Sequence, residues 1–172
     1  MMRIAEATSA DVAHVLMVER EAFGEPDVAE LVADLLEDAT AQPLLSLLAW
    51  EGDEAVAHIM FTPANLTGAD NLTVWILAPL AVIPSFQRRG IGGSLIENGI
   101  ERLAGSGVDL VFVLGHPEYY PRHGFVPAIP LGLDAPYPIS PQEAWMVRAL
   151  RPGILGRVRG AVACAEALDR PE

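Results

Sequence analysis

The chain has 172 residues, 51% hydrophobic and 20% charged, a balance that suits a folded globular protein and excludes a disordered one. Its formal charge of −12 argues against nucleic acid as a partner, because phosphate binding draws on Lys and Arg. The longest apolar runs are too short to cross a bilayer, and the N-terminal stretch lacks an apolar signal core, so no membrane association and a cytoplasmic location are expected.

The length predicts one domain with one core. All eleven basic residues are arginine, and the single cysteine, Cys164, permits no intramolecular disulfide. Met2–Thr8 alternates well enough for a first strand. Thr8 and Asp11 have capping-box spacing, and Val12, Val15, Leu16, Glu19 and Phe23 mark a first helix. Pro26 suits the first turn of a second helix, whose buried stripe is Val28, Leu31, Val32, Leu35 and Leu36. The run LLSLLAW-EGDE-AVAHIMF reads as two antiparallel strands joined at a Gly-Asp turn. Residues Pro63 to Asn71 read as a loop, and Leu72–Val82 as a long apolar strand.

The segment SFQRRGIGGSLIENGI follows. Ile91, Leu95, Ile100 and Leu103 carry helical spacing that ends near Gly105 and Gly107. Val108–Leu114 is an apolar run of strand length, as expected for a strand covered on both faces. Strand, glycine-led helix and strand form a βαβ unit, so the two strands are predicted to be parallel. His116–Phe125 reads as a short, proline-interrupted helix or turn, Ala144–Leu150 as a last strand, and the remainder as an ambiguous tail. The predicted class is α+β (mixed α/β), an antiparallel N-terminal half joined to a parallel crossover.

Three glycines, Gly90, Gly92 and Gly93, stand where the helix begins, although glycine disfavours helix interiors by about 1 kcal/mol relative to alanine. The free amides of a helix start and its dipole attract anions, and glycines let an anion approach closely. Arg88 and Arg89 add charge and Gln87 a neutral donor. The spacing is neither the dinucleotide fingerprint nor a P-loop. Two readings stay open: a seat for phosphate, or a glycine-rich turn that binds nothing.

The stretch LAPLAVIPSFQRRGIGGSLIENGIERL resembles the acetyl-CoA-binding motif of the GCN5-related N-acetyltransferases (GNAT). VFVLGHPEYYPRHGFVPA is similar to the superfamily's Y-x-x-x-G-F element, with Tyr120, Gly124 and Phe125 in register. With AHIMFTP and AWMVRAL in the expected order, the chain resembles the YhbS-like group. The resemblance implies a GNAT fold: a mixed, mostly antiparallel sheet splayed at strands 4 and 5, with a core over about residues 2–150 and a tail over 151–172. It also implies acetyl-CoA as cosubstrate, its pantetheine arm along Leu80, Ala81 and Val82 and its pyrophosphate on the amides of Arg88, Arg89, Gly90, Ile91, Gly92 and Gly93. Gln87 and Ser94 would lie nearby.

The implied chemistry is direct acetyl transfer to an amine of a small molecule or peptide, with a CoA-binding sensor as the alternative. A backbone N–H at a strand bulge near Val82 would serve the oxyanion. Tyr120 would protonate the leaving sulfur or else pack against the cofactor arm, and Tyr119 would be core or cofactor contact. For the base that deprotonates the amine, Glu19, Glu21, His58, His116 and water are candidates. A solvated surface is the expected setting for Glu19 and Glu21. A hydrogen-bonded core histidine is expected at His58, on the face of Val56 and Met60. His116 would face the site or cap the next turn, and His123 would pack. His14, His58, His116 and His123 form no ligand-spaced set, so no metal is expected. A homodimer through the final strands is common in the superfamily.

Overall fold

A computed structural model describes residues 2–169. The strands are β1 (Met2–Glu6), β2 (Leu45–Glu51), β3 (Glu54–Leu66), β4 (Val74–Val82), β5 (Leu110–Leu114), β6 (Val126–Pro127), β7 (Leu133–Asp134), β8 (Trp145–Ala149) and β9 (Gly160–Ala163). The helices are α1 (Val12–Phe23), α2 (Asp27–Glu37) and α3 (Ile91–Gly105). The main sheet runs β1-β2-β3-β4-β5-β8-β6. All its pairs are antiparallel except β4 with β5. That parallel pair follows from the α3 crossover, which returns the chain to the same end of the sheet.

Local chemistry explains most boundaries. Thr8 caps a short 3₁₀ turn at Ser9–Asp11 through the expected capping box and α1 follows it, so β1 stops at Glu6 rather than Thr8. Gly24 adopts φ +71° at the end of α1, a left-handed cap that suits glycine. Pro26 sits just before α2 rather than inside it. The hairpin turns at Gly52 and Asp53, between the paired residues Glu51 and Glu54.

One expectation gives way, and one open reading closes. Residues 63–66 are not a loop: β3 runs on through Pro63 to Leu66, pairing Pro63 with Trp75 and Ala64 with Val74. The partner β2 ends opposite Phe61, which leaves β3 an open edge there, the setting in which a strand tolerates proline. The tail, ambiguous in sequence, holds a strand among its described residues: β9 pairs with Asn65 and Leu66 of β3 and with β7. Pro127–Pro141, between β6 and the turn before β8, carries Ala128 and Leu133 into a second buried cluster with Phe112, Trp145 and Val162.

The main core lies between the sheet and its three helices. α3 approaches β3 so closely that a Cβ on Gly99 would overlap the Phe61 ring. Phe61 is itself fully buried and has no space to retreat into. Gly99→Ala is therefore expected to destabilise the fold by about 1–3 kcal/mol, the usual range for overpacking. A urea titration with an unchanged midpoint would contradict this packing.

Candidate active site

The parallel pairing of β4 and β5 covers only Val74–Leu77 against Leu110–Val113. Past Leu77 the two strands part while β4 stays paired to β3 through Val82. The register slips where Ile59 faces Leu80 but Phe61 faces Leu77, so β4 carries its bulge at Ala78–Pro79. The bulge thus precedes Val82, which remains in regular register with Ala57. The Ile83 N–H donates to the Val56 carbonyl at 3.0 Å. By antiparallel alternation, the N–H and C=O groups of Leu80 and Val82 then face away from β3, into the gap. The Val82 carbonyl accepts a hydrogen bond from Gln87 Nε2 at 3.0 Å.

A cleft of about 1080 Å³ opens at this gap and runs to the start of α3. It brings together Leu80, Val82, Gln87, Arg88, Gly90 and Ile91 from the expected set, and also Gly92, Gly93, Ser94, His116 and Tyr120. Two expected residues lie outside it. Ala81 points to the opposite face of the sheet, where it is buried. Arg89 sits over the Phe86 ring, 4.8 Å from its centre.

The start of α3 is built to leave its amides open. Gly90 has φ +80° and contributes no side-chain cap. Arg88, at φ 64°, is the one non-glycine residue with positive φ among the described residues. Ser94 turns its hydroxyl onto the Gly90 carbonyl at 3.1 Å instead of into the cleft. The glycines have a further cause: a Cβ on Gly92 would meet the Tyr119 hydroxyl at 2.8 Å, and one on Gly93 would meet His123 Cε1 at 2.7 Å. Tyr119 and His123 reach over the helix start as a wall, their rings 5.1 Å apart.

Charge in the cleft contrasts with the acidic chain. Arg88, Arg122 and His123 line it with a single carboxylate, Glu97. Arg148 Nη1 donates to both Glu97 oxygens, at 3.2 and 3.1 Å, and to the His123 carbonyl at 2.8 Å. The Glu97–Arg148 pair has no signature in the sequence, since nothing in α3 or β8 announces the meeting. Tyr120 is buried, and desolvation pushes its hydroxyl well above the ordinary tyrosine range, so it is held protonated. Burial also raises Tyr119. His116 is exposed at the rim, and its carbonyl accepts from the Tyr119 and Tyr120 amides, which tethers the turn.

On the other face of the sheet, Glu19 overturns its surface expectation. It is fully buried, with Oε2 2.6 Å from His58 Nδ1. His58 Nε2 lies 2.8 Å from Ser46 Oγ, so the expected core histidine is held at both nitrogens. The signal was present, because Glu19 falls on the same helical stripe as Val12 and Val15. Glu21 is exposed, as expected. Among the described residues, no group of His, Cys, Asp and Glu could hold a metal ion, and no helix is long and apolar enough to cross a membrane.

Comparison with known proteins identifies the class. The model of the Acetyltransferase (GNAT) family matches residues 12–125. The uncharacterized N-acetyltransferase YjhQ of Escherichia coli K12 is 49% identical over 160 residues, 91% of this chain and 88% of that protein. The crystal structure of the E. coli GNAT-family N-acetyltransferase YhbS in complex with CoA superposes with a TM-score of 0.90 at 29% identity, covering 98% of this chain and 92% of that one. A GNAT-family acetyltransferase from Brucella melitensis, in complex with acetyl-CoA, gives 0.76 at 28% identity and 97% coverage of both chains. The chain belongs to the acetyltransferase (GNAT) family, and the splayed β4–β5 pair is that family's sheet. It is an acyltransferase.

Desolvation, the largest influence on Glu19, raises its carboxyl, against a lowering by His58. A group raised on folding contributes stability at acid pH that is lost as pH rises through the folded value. Glu19→Gln carries no such loss. Its stability relative to the parent is therefore expected to improve between about pH 4 and about pH 7. Denaturation curves of both proteins at the two values check the sign.

Proposed function

We propose that this protein transfers the acetyl group of acetyl-CoA directly to a primary amine of a small molecule or peptide. The observation that carries the reading is the cleft itself. It joins open amides at a helix start to a strand edge that no second strand covers, and the two together suit a long thioester ending in phosphates. The glycine-led start of α3 offers the amides of Ile91, Gly92 and Gly93 to the pyrophosphate, with Arg88 and Gln87 beside it. The Leu80 and Val82 backbone offers a ladder to the pantetheine amides. The CoA and acetyl-CoA complexes of the two structural neighbours support this assignment.

In the chemistry, an amine nitrogen attacks the thioester carbon, the C–N bond forms and the C–S bond breaks. A backbone N–H facing the gap, with Val82 the nearest candidate, stabilises the carbonyl oxygen as it gains charge. Tyr120, whose hydroxyl burial keeps protonated, donates to the departing sulfur. His116, at the rim, is placed to exchange protons with solvent or product.

Calorimetric titration with acetyl-CoA, with ATP as the control anion, tests the cofactor, and an amine panel tests the transfer. Micromolar acetyl-CoA binding with none of ATP supports the reading; no binding overturns it. Gly92→Val is expected to displace Tyr119 and crowd the helix start, weakening acetyl-CoA binding at least tenfold with the fold retained. Tyr120→Phe is expected to lower kcat by about 10²-fold with little change in acetyl-CoA Kd. Equal kcat in the two proteins removes Tyr120 as the acid.

A further inference from the structure

Tyr119 stands in the cleft beside the acid proposed above, yet the transfer chemistry gives it no part. Its hydroxyl reaches over the first turn of α3, and a Cβ on Gly92 would meet that oxygen at 2.8 Å. The next neighbours of the same point are Leu80 Cδ2 at 3.6 Å and Val82 Cγ2 at 3.7 Å, both at ordinary contact distance. The oxygen, and no atom of the ring, is therefore what position 92 makes room for.

The neighbouring glycine shows the difference. A Cβ on Gly93 would meet three atoms of the His123 ring, so that glycine serves packing between the helix and its wall. Packing at Gly92 would be served equally well by a phenylalanine at 119, whose reach ends one atom short. The chain instead carries a polar atom to this point.

That atom has no hydrogen-bond partner among the described residues, and it is not sealed: the half-buried side chain lines the cleft. Burial raises Tyr119, so the hydroxyl keeps the hydrogen it donates. The same cleft holds the open amides at the start of α3 and the guanidinium groups of Arg88 and Arg122. Each of these groups donates. The one carboxylate present, Glu97, is already engaged by Arg148. A donor placed among donors finds its use in an anionic acceptor.

We propose that the Tyr119 hydroxyl donates a hydrogen bond to a pyrophosphate oxygen of the acyl donor, and so selects thioesters that carry a diphosphate over those that end at the pantetheine arm. This rests on the transferase reading above. The helix amides hold the diphosphate from α3 and Tyr119 holds it from the wall, while the adjacent Tyr120 serves the sulfur. No covalent bond forms or breaks at Tyr119, so its hydroxyl acts on binding and leaves the chemical step to Tyr120.

Two donors separate this contact from a packing role. Acetyl-CoA carries the diphosphate; S-acetylpantetheine carries the same thioester arm and no phosphate. Their Kd values are read by calorimetric titration with acetyl-CoA, alone and against S-acetylpantetheine as competitor. Tyr119→Phe is expected to weaken acetyl-CoA about tenfold, the scale of a hydrogen bond to a charged group, and S-acetylpantetheine far less. Acetyl-dephospho-CoA keeps the diphosphate and lacks only the ribose phosphate, so it is expected to weaken as acetyl-CoA does. Gly92→Ala sets a methyl group where the hydroxyl stands and is expected to shift the selectivity the same way; it carries the test if Tyr119→Phe fails to fold. Equal weakening of acetyl-CoA and S-acetylpantetheine, or of neither, overturns the assignment. A weakening confined to acetyl-CoA places the contact at the ribose phosphate and overturns it too. A native protein that does not bind acetyl-CoA overturns the transferase reading, and this assignment with it.

Discussion

The parting of β4 from β5 after Leu77 is the constraint on which the site depends. A strand interior to a sheet normally satisfies both edges, and an unpaired backbone edge is either solvated or covered. β4 begins as such a strand and ends with one partner only, because the bulge at Ala78–Pro79 changes its course while β5 stops at Leu114. β3 holds the released end in place through Val82. The gap is therefore held by the sheet itself rather than by a loop.

The second requirement is a helix whose start comes close to that edge. α3 meets it by giving up side chains on two levels. Gly99 lets the helix axis approach Phe61, and Gly92 and Gly93 let Tyr119 and His123 fold over its first turn. The same glycines leave the first amides open, so one sequence choice serves packing and ligand access together. The hydrogen bonds of Arg148 to Glu97 and to the His123 carbonyl then tie β8 to this wall. They also neutralise the one carboxylate in the cleft. The −12 charge of the chain is thereby offset within the cleft, which Arg88 and Arg122 line.

The sequence made the crossover legible because strand, glycine-led helix and strand each carry their own period, 2.0 or 3.6, between clear breakers. The hairpin was legible for the same reason, through Gly52 and Asp53. Residues 63–66 were not, because Pro63 and Ala64 are strand through their pairing with Trp75 and Val74, and Asn65 and Leu66 through β9, about a hundred residues further on. Most of the cleft was readable from the two motifs. The tie of Arg148 to Glu97 was not, because the two meet only after β8 is laid beside β5. Composition also misled at Glu19. Helical carboxylates are mostly solvated, and that expectation outweighed the spacing that set Glu19 on the apolar stripe.

The two faces of β4 divide the work between them. Alternation sends Leu80 and Val82 toward α3 and Ala81 toward α1, so a single strand presents its backbone edge to the gap while separating two chemically different surfaces. One surface is cationic and open, with helix amides and arginines. The other is closed and carries a polarised Ser–His–Glu chain ending in an unpaired carboxylate oxygen. The low-dielectric interior on that face makes the ion-dipole contacts within the Ser–His–Glu chain stronger than they would be in water, while the open face leaves its charges to solvent screening.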